Sequence, residues 1–303
     1  MRRATAILAG LAVCAGAGLV QAQDVGGPPP PGAPRVVAAA ASEWRTVPAA
    51  NLLIIDTNRG RILLEMAPEL APLHVERIRL LARAGFFDGL TWHRVIDWFM
   101  AQTGDPLGSG EGQSPYPDLA AEFTFRRDAS VAFTAVAAPA GALVGFVHSL
   151  PVQTQPDAAM ALTGDGKVHG WGLYCPGVAG MARDEGNDTA NSQFFLMRQA
   201  YPALDKRYTV WGTVVSGLDV VRALKPGEGD NGMVTAEPDR MTRVRVAADL
   251  PEVGRPVVRV LDTRSAGFRT LAEQVRQARG ADFSVCDITL PVEVSQAQVA
   301  AGG

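Results

Sequence analysis

The segment TWHRVIDWFMAQTGD, residues 91–105, places one arginine and one glutamine among large apolar residues. An unsatisfied polar group buried in such surroundings costs about 1–3 kcal/mol, so Arg94 and Gln102 each need a partner or a chemical task. The β-branched and aromatic residues beside them predict two short strands, at Thr91–Val95 and Phe99–Thr103. The segment therefore predicts β structure that carries two polar side chains of special purpose.

The sequence on both sides of this segment also predicts short strands. Upstream, LLIIDTNRGRILLEM (residues 52–66) has two aliphatic runs separated by a hairpin turn, in which Asn58 and Gly60 tolerate positive φ. Similar strand-like runs follow downstream, at Gln193–Met197, Tyr208–Val214 and Thr242–Ala247. Short strands that outnumber long helices favour a closed, mainly β architecture over alternating α/β units.

Two helices interrupt the strands. After Pro72, apolar residues recur at steps of three to four, which predicts an amphipathic helix that Gly85 closes as its C-terminal cap. A second, shorter helix is predicted over LDVVRAL, residues 218–224.

The composition is that of an ordinary globular protein. Of 303 residues, 47% are hydrophobic and 19% charged, and the formal net charge is −3. A chain with this net charge is not basic enough for routine nucleic-acid binding, so we expect no nucleic-acid partner.

The N-terminus predicts a cleavable export signal over residues 1–22. Arg2 and Arg3 precede an apolar stretch that is too short for a stable membrane span, and small residues end at Ala22, where we expect cleavage. A lipoprotein signal ending at Cys14 and a twin-arginine signal are weaker alternatives, because their flanking residues are missing. The signal predicts a periplasmic protein, and residues 23–50, rich in Pro, Gly and Ala, predict an extended linker.

Four stretches, the first of which contains the segment 91–105, resemble the signature blocks of one family and occur in the same order as in that family. GFFDGLTWHRVIDWFMAQTGD (residues 85–105), PGVAGMAR (176–183), NSQFFLM (191–197) and ALDKRYTVWGTVVSGLDVV (203–221) are similar to the signature blocks of the cyclophilin-type peptidyl-prolyl cis-trans isomerases. The resemblance covers residues 51–250, with an insertion at about 126–174. It implies a cyclophilin-like eight-stranded antiparallel β-barrel capped by two α-helices, with a substrate groove on one outer face.

The resemblance also assigns site residues. It implies that Arg94 and Gln102 are catalytic, and that the following residues bind substrate: Phe99, Met100, Ala182, Arg183, Phe195, Leu204 and Tyr208. The implied partners are proline-containing polypeptides, above all exported proteins as they fold.

The chemistry explains why such residues suffice. Rotation about an X-Pro bond must break amide resonance, which sets a barrier of about 18–20 kcal/mol, and no bond is made or cleaved. An apolar pocket can hold the proline ring while a fixed cation stabilises the twisted imide. We therefore expect no cofactor and no metal ion.

Several positions depart from the family pattern. Ala203 stands where many members have a tryptophan, which predicts weak or no binding of cyclosporin, and Tyr208 replaces a common histidine. Asp97-Trp98 replaces the usual Pro-Gly turn, and Ala179-Gly180 replaces a bulkier pair.

The segments outside the resemblance also have sequence patterns that predict structure. The insertion is too long and too apolar for a solvated loop, so we expect it to pack beside the barrel near the groove. The extension over residues 251–303 contains an apolar run, a helical pattern in FRTLAEQVRQAR (residues 268–279) and a second run, which predicts a strand-helix-strand appendage.

The cysteines and histidines leave two further possibilities. Cys175 and Cys286 could form a disulfide in an oxidising compartment, but their spacing gives no evidence of proximity and buried free thiols are the simpler interpretation. A metal site formed by His148, His169 and Cys175 is a weak alternative, because the separations are irregular.

Two functions of different class remain. The first is an active prolyl isomerase for exported proteins, which the presence of Arg94, Phe99, Gln102 and Phe195 favours. The second is a non-catalytic cyclophilin-like binding or chaperone module, to which Ala203 and the altered turns give some weight.

Overall fold

The structure is a computed structural model that describes residues 40–229 and 231–297. The predicted signal peptide, its cleavage site and most of the predicted linker lie outside these residues. Within them, no helix is both long enough and apolar enough to cross a membrane.

The described residues contain sixteen strands and three α-helices, numbered in chain order. The strands are β1 (Trp44–Thr46), β2 (Leu52–Thr57), β3 (Gly60–Met66), β4 (Arg94–Val95), β5 (Met100–Thr103), β6 (Phe125–Arg127), β7 (Phe133–Ala137), β8 (Leu143–Val147), β9 (Leu150–Thr154), β10 (Val168–Gly172), β11 (Val178–Met181), β12 (Phe194–Met197), β13 (Val210–Ser216), β14 (Met241–Val246), β15 (Pro256–Leu261) and β16 (Val292–Gln296). The helices are α1 (Pro72–Arg83), α2 (Leu218–Ala223) and α3 (Ala266–Arg279).

Eight antiparallel strands form the main sheet, in the order β14-β2-β3-β13-β11-β12-β5-β4. Two contacts bring its edge strands β14 and β4 together. One is the isolated β-bridge between Thr91 and Arg240, and the other is a hydrogen bond of 2.8 Å that the Trp92 N–H donates to the carbonyl oxygen of Asp239. The mainly β, cyclophilin-like architecture predicted from the sequence is therefore confirmed, and single bridges rather than a continuous ladder close the barrel.

The local predictions around the barrel agree with the structure. Strands β2 and β3 form the predicted hairpin, and Gly60 has a φ of +136°, which a side chain would strain. Helix α1 begins with Pro72 at its first turn, buries Val75, Ile78 and Leu81 against the barrel, and is followed by Gly85 at a φ of +67°. The predicted strand at Thr91–Val95 is shorter in the structure, because only β4 joins the ladder.

The insertion forms a second sheet, with the order β6-β10-β9-β8-β7. Its apolar residues belong to one buried cluster together with Met100 and Phe195 of the barrel and with helix α3, where Phe146 and Phe268 pack edge to face at 5.6 Å. The expectation that the insertion packs beside the barrel is confirmed.

The C-terminal extension forms the predicted strand-helix-strand unit, and the N-terminal side completes it. Strands β15 and β16 pair with each other, and β1 pairs with β15 so that Trp44 lies opposite Leu261. The prediction that residues 41–50 belong to an unstructured linker is wrong, since β1 lies there and Val47 is buried. The partner strand lies far along the chain, so local composition gives no sign of it.

Cys175 and Cys286 form a disulfide, with their Cα atoms 5.1 Å apart. The interpretation of two buried free thiols is therefore wrong. The fold brings the end of the insertion next to the C-terminal extension, and sequence spacing could not reveal that proximity.

Candidate functional site

Arg94 and Gln102 lie opposite each other on the adjacent strands β4 and β5. Arg94 Nη1 donates a hydrogen bond to Gln102 Oε1 at 3.1 Å, and Nε donates to the carbonyl oxygen of Asn231 at 2.7 Å. Partial burial lowers the pKa of Arg94, but an arginine side chain stays protonated at any physiological pH. Two of its donors are thus fixed by protein acceptors, and Nη2 has no hydrogen-bond partner among the residues that the structure describes.

A chain of hydrogen bonds sets the orientation of the Gln102 amide. Gln102 Nε2 donates to Gln193 Oε1 at 2.9 Å, and Gln193 Nε2 donates to the carbonyl oxygens of Gly110 and Gly112, each at 2.8 Å. Because each amide nitrogen faces an acceptor, Gln102 Oε1 must point toward Arg94. Gln193 was not predicted as a site residue, although it lies two residues before Phe195 and period-two alternation places both on one face.

The loop that carries Gly110 and Gly112 is itself held by a carboxylate. Asp105 accepts backbone N–H bonds from Leu107 at 2.6 Å, Ser109 at 2.8 Å and Gly110 at 2.5 Å. Burial opposes ionisation of Asp105, but these bonds outweigh it and lower its pKa. The loop is therefore pinned to an ionised group beside the Arg94 strand.

The predicted apolar residues lie beside these polar ones. In the ladder between β5 and β12, Phe195 faces Gln102 and Met197 faces Met100. Met100 and Phe195 are almost fully buried, at 1% and 5% exposure. These two side chains therefore expose little apolar surface next to Arg94.

Half-buried apolar residues form the rest of this surface. Tyr208 packs edge to face on Phe195 at 6.0 Å, and Phe99 lies 4.6 Å from the ring of Tyr201. Leu204 and Ala182 pack against the same cluster. The structure thus places Gln102 and Tyr208 directly beside Phe195, and Phe99, Ala182 and Leu204 against the same apolar cluster.

Arg183 lies at the edge of this surface. Its guanidinium stacks over Tyr208 at 4.6 Å and over Phe123 at 5.6 Å, and Nε donates to the carbonyl oxygen of Arg207 at 3.1 Å. A small polar cleft of about 70 Å³ opens beside it. Its walls include Gln102, Gly110, Ala182, Arg183, Asn191 and Gln193.

Trp98 is a second residue beside the apolar surface that was not predicted as part of the site. Its side chain is 62% exposed, and its ring stacks on Phe99 with centroids 5.8 Å apart. Ala203, at the position of the missing tryptophan, is exposed as well. The indole of Trp98 therefore lies beside Phe99, although it belongs to a different turn from the one that contains Ala203.

The metal alternative fails because Cys175 is in a disulfide and has no thiolate to offer. In residues 40–229 and 231–297, no three His, Cys, Asp or Glu side chains are grouped as metal ligands would be. His93 is buried, and burial lowers its pKa, so it is a neutral neighbour of Arg94.

Comparison with known proteins gives consistent matches. The sequence profile of the family described as cyclophilin type peptidyl-prolyl cis-trans isomerase/CLD matches residues 52–246. A probable peptidyl-prolyl cis-trans isomerase of Brucella suis is 35% identical over 211 residues, which are 66% of this chain and 84% of that protein. Peptidyl-prolyl cis-trans isomerase B of Bacillus subtilis is 30% identical over 169 residues, which are 56% of this chain and 86% of that protein.

A solved structure is similar over most of the chain. The crystal structure of the cyclophilin AquaCyp293 from Hirschia baltica superposes with a TM-score of 0.76 at 32% identity. The match covers 84% of this chain and 94% of that one, so it extends beyond the barrel.

Proposed function

The chain belongs to the cyclophilin-type peptidyl-prolyl cis-trans isomerases, and from this premise we propose that it accelerates X-Pro rotation in exported polypeptides through Arg94. The observation that carries the proposal is the pair formed by Arg94 and Gln102 across β4 and β5, directly beside Phe195. A cation with fixed orientation and an apolar surface then lie within reach of one proline residue.

The proposed mechanism follows from these positions. The proline ring packs on Phe99, Met100, Phe195 and Leu204. The side-chain amide of Gln102 and the polar groups of the cleft beside Arg183 bind the substrate backbone on either side of the proline. Arg94 Nη2 donates to the prolyl carbonyl and toward the imide nitrogen. That nitrogen becomes basic only when the amide twists, so the interaction strengthens in the transition state. Each 1.36 kcal/mol gained in this way raises the rate about tenfold.

The cellular setting is part of the proposal. The export signal predicted over residues 1–22 favours the periplasm, and the Cys175–Cys286 disulfide supports an oxidising compartment. Folding exported proteins with X-Pro bonds are the proposed clients. Alkaline phosphatase fusion to residues 1–25 tests the signal, because this enzyme becomes active only where its disulfides can form. We expect an active fusion in the periplasmic fraction, and a fusion that is produced but inactive contradicts the proposal.

A protease-coupled assay on a short Ala-Pro peptide tests the catalytic role. We expect Arg94→Ala to lower kcat/KM by about 10²–10³-fold, the range for loss of one transition-state donor. The kcat/KM of Arg94→Lys should lie between those of Arg94→Ala and the wild type, because lysine keeps the charge but lacks the planar donors. Arg243→Ala, at an exposed position of β14, is the matched control. An Arg94→Ala variant as fast as wild type contradicts the mechanism.

The second candidate is a binding module without useful turnover. The near-complete burial of Met100 and Phe195 favours it, because side chains that expose so little surface offer a proline ring less contact area. The same assay separates the two: a wild-type protein that binds the peptide in an NMR titration but does not catalyse its isomerisation is a binding module.

Weak cyclosporin binding remains part of the proposal. The exposed Ala203 supplies no indole to the drug. We expect no inhibition at sub-micromolar cyclosporin and tighter inhibition of an Ala203→Trp variant. Sub-micromolar inhibition of the wild-type protein contradicts this expectation.

A further inference from the structure

Tyr174, the last residue of the insertion, lies directly against Phe195. The two rings stack at an angle of 25° with centroids 5.7 Å apart, and Tyr174 is 1% exposed. Gly180 on β11 makes room for this ring: a Cβ there would lie 2.6 Å from both Tyr174 Oη and Phe195 Cζ. The glycine and the tyrosine therefore form one packing arrangement that holds Phe195 in place.

The backbone of Tyr174 fixes two neighbouring turns. Its N–H donates to Asp205 Oδ1 at 3.0 Å, and Asp205 follows Leu204 directly. Its carbonyl oxygen accepts from the N–H of Tyr201 at 2.9 Å, and the Tyr201 ring lies 4.6 Å from Phe99. Tyr174 thus contacts or supports three residues of the apolar surface: Phe99, Phe195 and Leu204.

The next residue in the chain connects Tyr174 to the C-terminal extension. Cys175 is bonded to Cys286, which lies in the same buried cluster as Val285 and helix α3. The disulfide holds the end of the insertion against the extension at the point where Tyr174 enters the barrel face.

We propose that Tyr174 is a positioning residue for the proline surface, and that the Cys175–Cys286 disulfide keeps it in place. The inference rests on the proposed function for its substrate but concerns how the surface is preorganised. A surface whose walls are already ordered loses less conformational entropy when it binds a proline residue. Tyr174 Oη has no hydrogen-bond partner among the described residues, so its ring rather than its hydroxyl carries the role.

Two variants of Tyr174 test the first part, with the Kd for an Ala-Pro peptide from an NMR titration and kcat and KM from the isomerase assay. Tyr174→Leu removes the stacked ring, and we expect Kd and KM to rise about tenfold with kcat nearly unchanged, the size of effect typical of a packed aromatic contact. Tyr174→Phe restores the ring, and we expect values within about twofold of wild type.

A matched control separates positioning from general stability. Phe283→Leu shortens an apolar side chain in the same cluster that is not itself one of the proline-surface residues. We expect it to lower the melting temperature and leave Kd unchanged. A folded Tyr174→Leu variant with wild-type Kd overturns the role of Tyr174, and so does equal weakening by Phe283→Leu.

Reduction tests the disulfide. We expect dithiothreitol to raise the Kd of the wild-type protein, and a Cys286→Ser variant to show the raised Kd with or without the reductant. A reduced wild-type protein that keeps its Kd overturns the role of the disulfide. The binding measurement does not need turnover. A wild-type protein that binds the peptide without catalysing isomerisation therefore refutes the proposed function but not the role of Tyr174. A wild-type protein that does not bind the peptide overturns both.

Discussion

Two regions of the molecule are assembled in opposite ways. The Arg94 face, formed by Arg94, Gln102 and Phe195, comes from three neighbouring antiparallel strands whose register alone brings the side chains together. The added region, residues 41–50, 126–174 and 251–297, joins segments from both ends and the middle of the chain. The proposed chemistry therefore depends on the register of neighbouring strands, whereas the packing that supports it depends on contacts between distant segments.

A buried ion pair connects the two regions, and its loss should have the largest effect. Arg45 of β1 forms two bonds of 2.6 Å with Glu65 of β3 and a third, also 2.6 Å, with Ser149 of the insertion. Glu65 is 5% exposed, so Arg45→Ala leaves a buried charge without its partner and should lower the free energy of unfolding by about 3–5 kcal/mol. Urea unfolding measures the change.

The control for this prediction is an ion pair at the surface. Arg61 pairs with Asp56 at 2.6 Å, but half of the Arg61 side chain is exposed. Arg61→Ala should therefore cost only about 0–1 kcal/mol. If Arg45→Ala costs no more than Arg61→Ala, the added region is not held to the barrel by this pair.

Asp205 lies where the two regions meet and provides a pH-dependent test. Burial raises its pKa to about 6, while the Tyr174 N–H and the charge of Lys206 oppose the rise. Because the folded pKa lies above the ordinary value of 3.8, the stabilising contribution is complete below pH 3.8 and is lost as the pH rises through about 6. Asp205→Asn keeps an acceptor for the Tyr174 N–H. It should raise the free energy of unfolding at pH 7.5 by about 1–2 kcal/mol, because solvent screens part of the charge on this half-buried carboxylate.

The same substitution should have little effect at pH 4, where Asp205 is protonated in the folded protein. Urea unfolding at the two pH values measures the difference, and Asp282→Asn at an exposed position serves as the control. An equal effect of Asp205→Asn at both values would show that the charge is not the cause.

Gln193 tests the Arg94 face without touching the added region. Gln193→Ala frees the Gln102 amide to rotate, so Arg94 loses a fixed acceptor. We expect kcat/KM to fall about tenfold, mainly through kcat, with the free energy of unfolding changed by less than about 1 kcal/mol. Gln277→Ala on the exposed surface of α3 is the matched control. A fall in stability equal to the fall in activity would assign Gln193 a structural role.

The same contrast explains how much the sequence could predict. The Arg94 face was predictable because alternation and signature blocks fix which residues share a strand face, and only the flanking Gln193 was missed. Strand β1 and the disulfide were not predictable, because Trp44 and Cys175 find their partners far along the chain. Tyr174 was missed for a related reason: its role depends on space left by Gly180, which only the packing shows.

Trp98 should have the smallest effect, and it tests whether the departures from the family pattern compensate each other. Its exposed ring extends the surface of Phe99, on the rim where Ala203 supplies no indole. Because an aromatic pair contributes about 0.5–1.5 kcal/mol beyond burial, Trp98→Ala should raise KM about threefold with little change in kcat, and Trp98→Phe should recover part of the loss.

The peptide chosen for this measurement sharpens the result. A rim aromatic contacts the residues that flank proline, so the rise in KM should be larger for a peptide with Phe beside proline than for one with Ala. If Trp98→Ala raises KM equally for both peptides, the indole supports Phe99 from behind rather than contacting substrate. An unchanged KM for both would mean that the exposed ring lies outside the groove, and that Ala203 is an uncompensated loss.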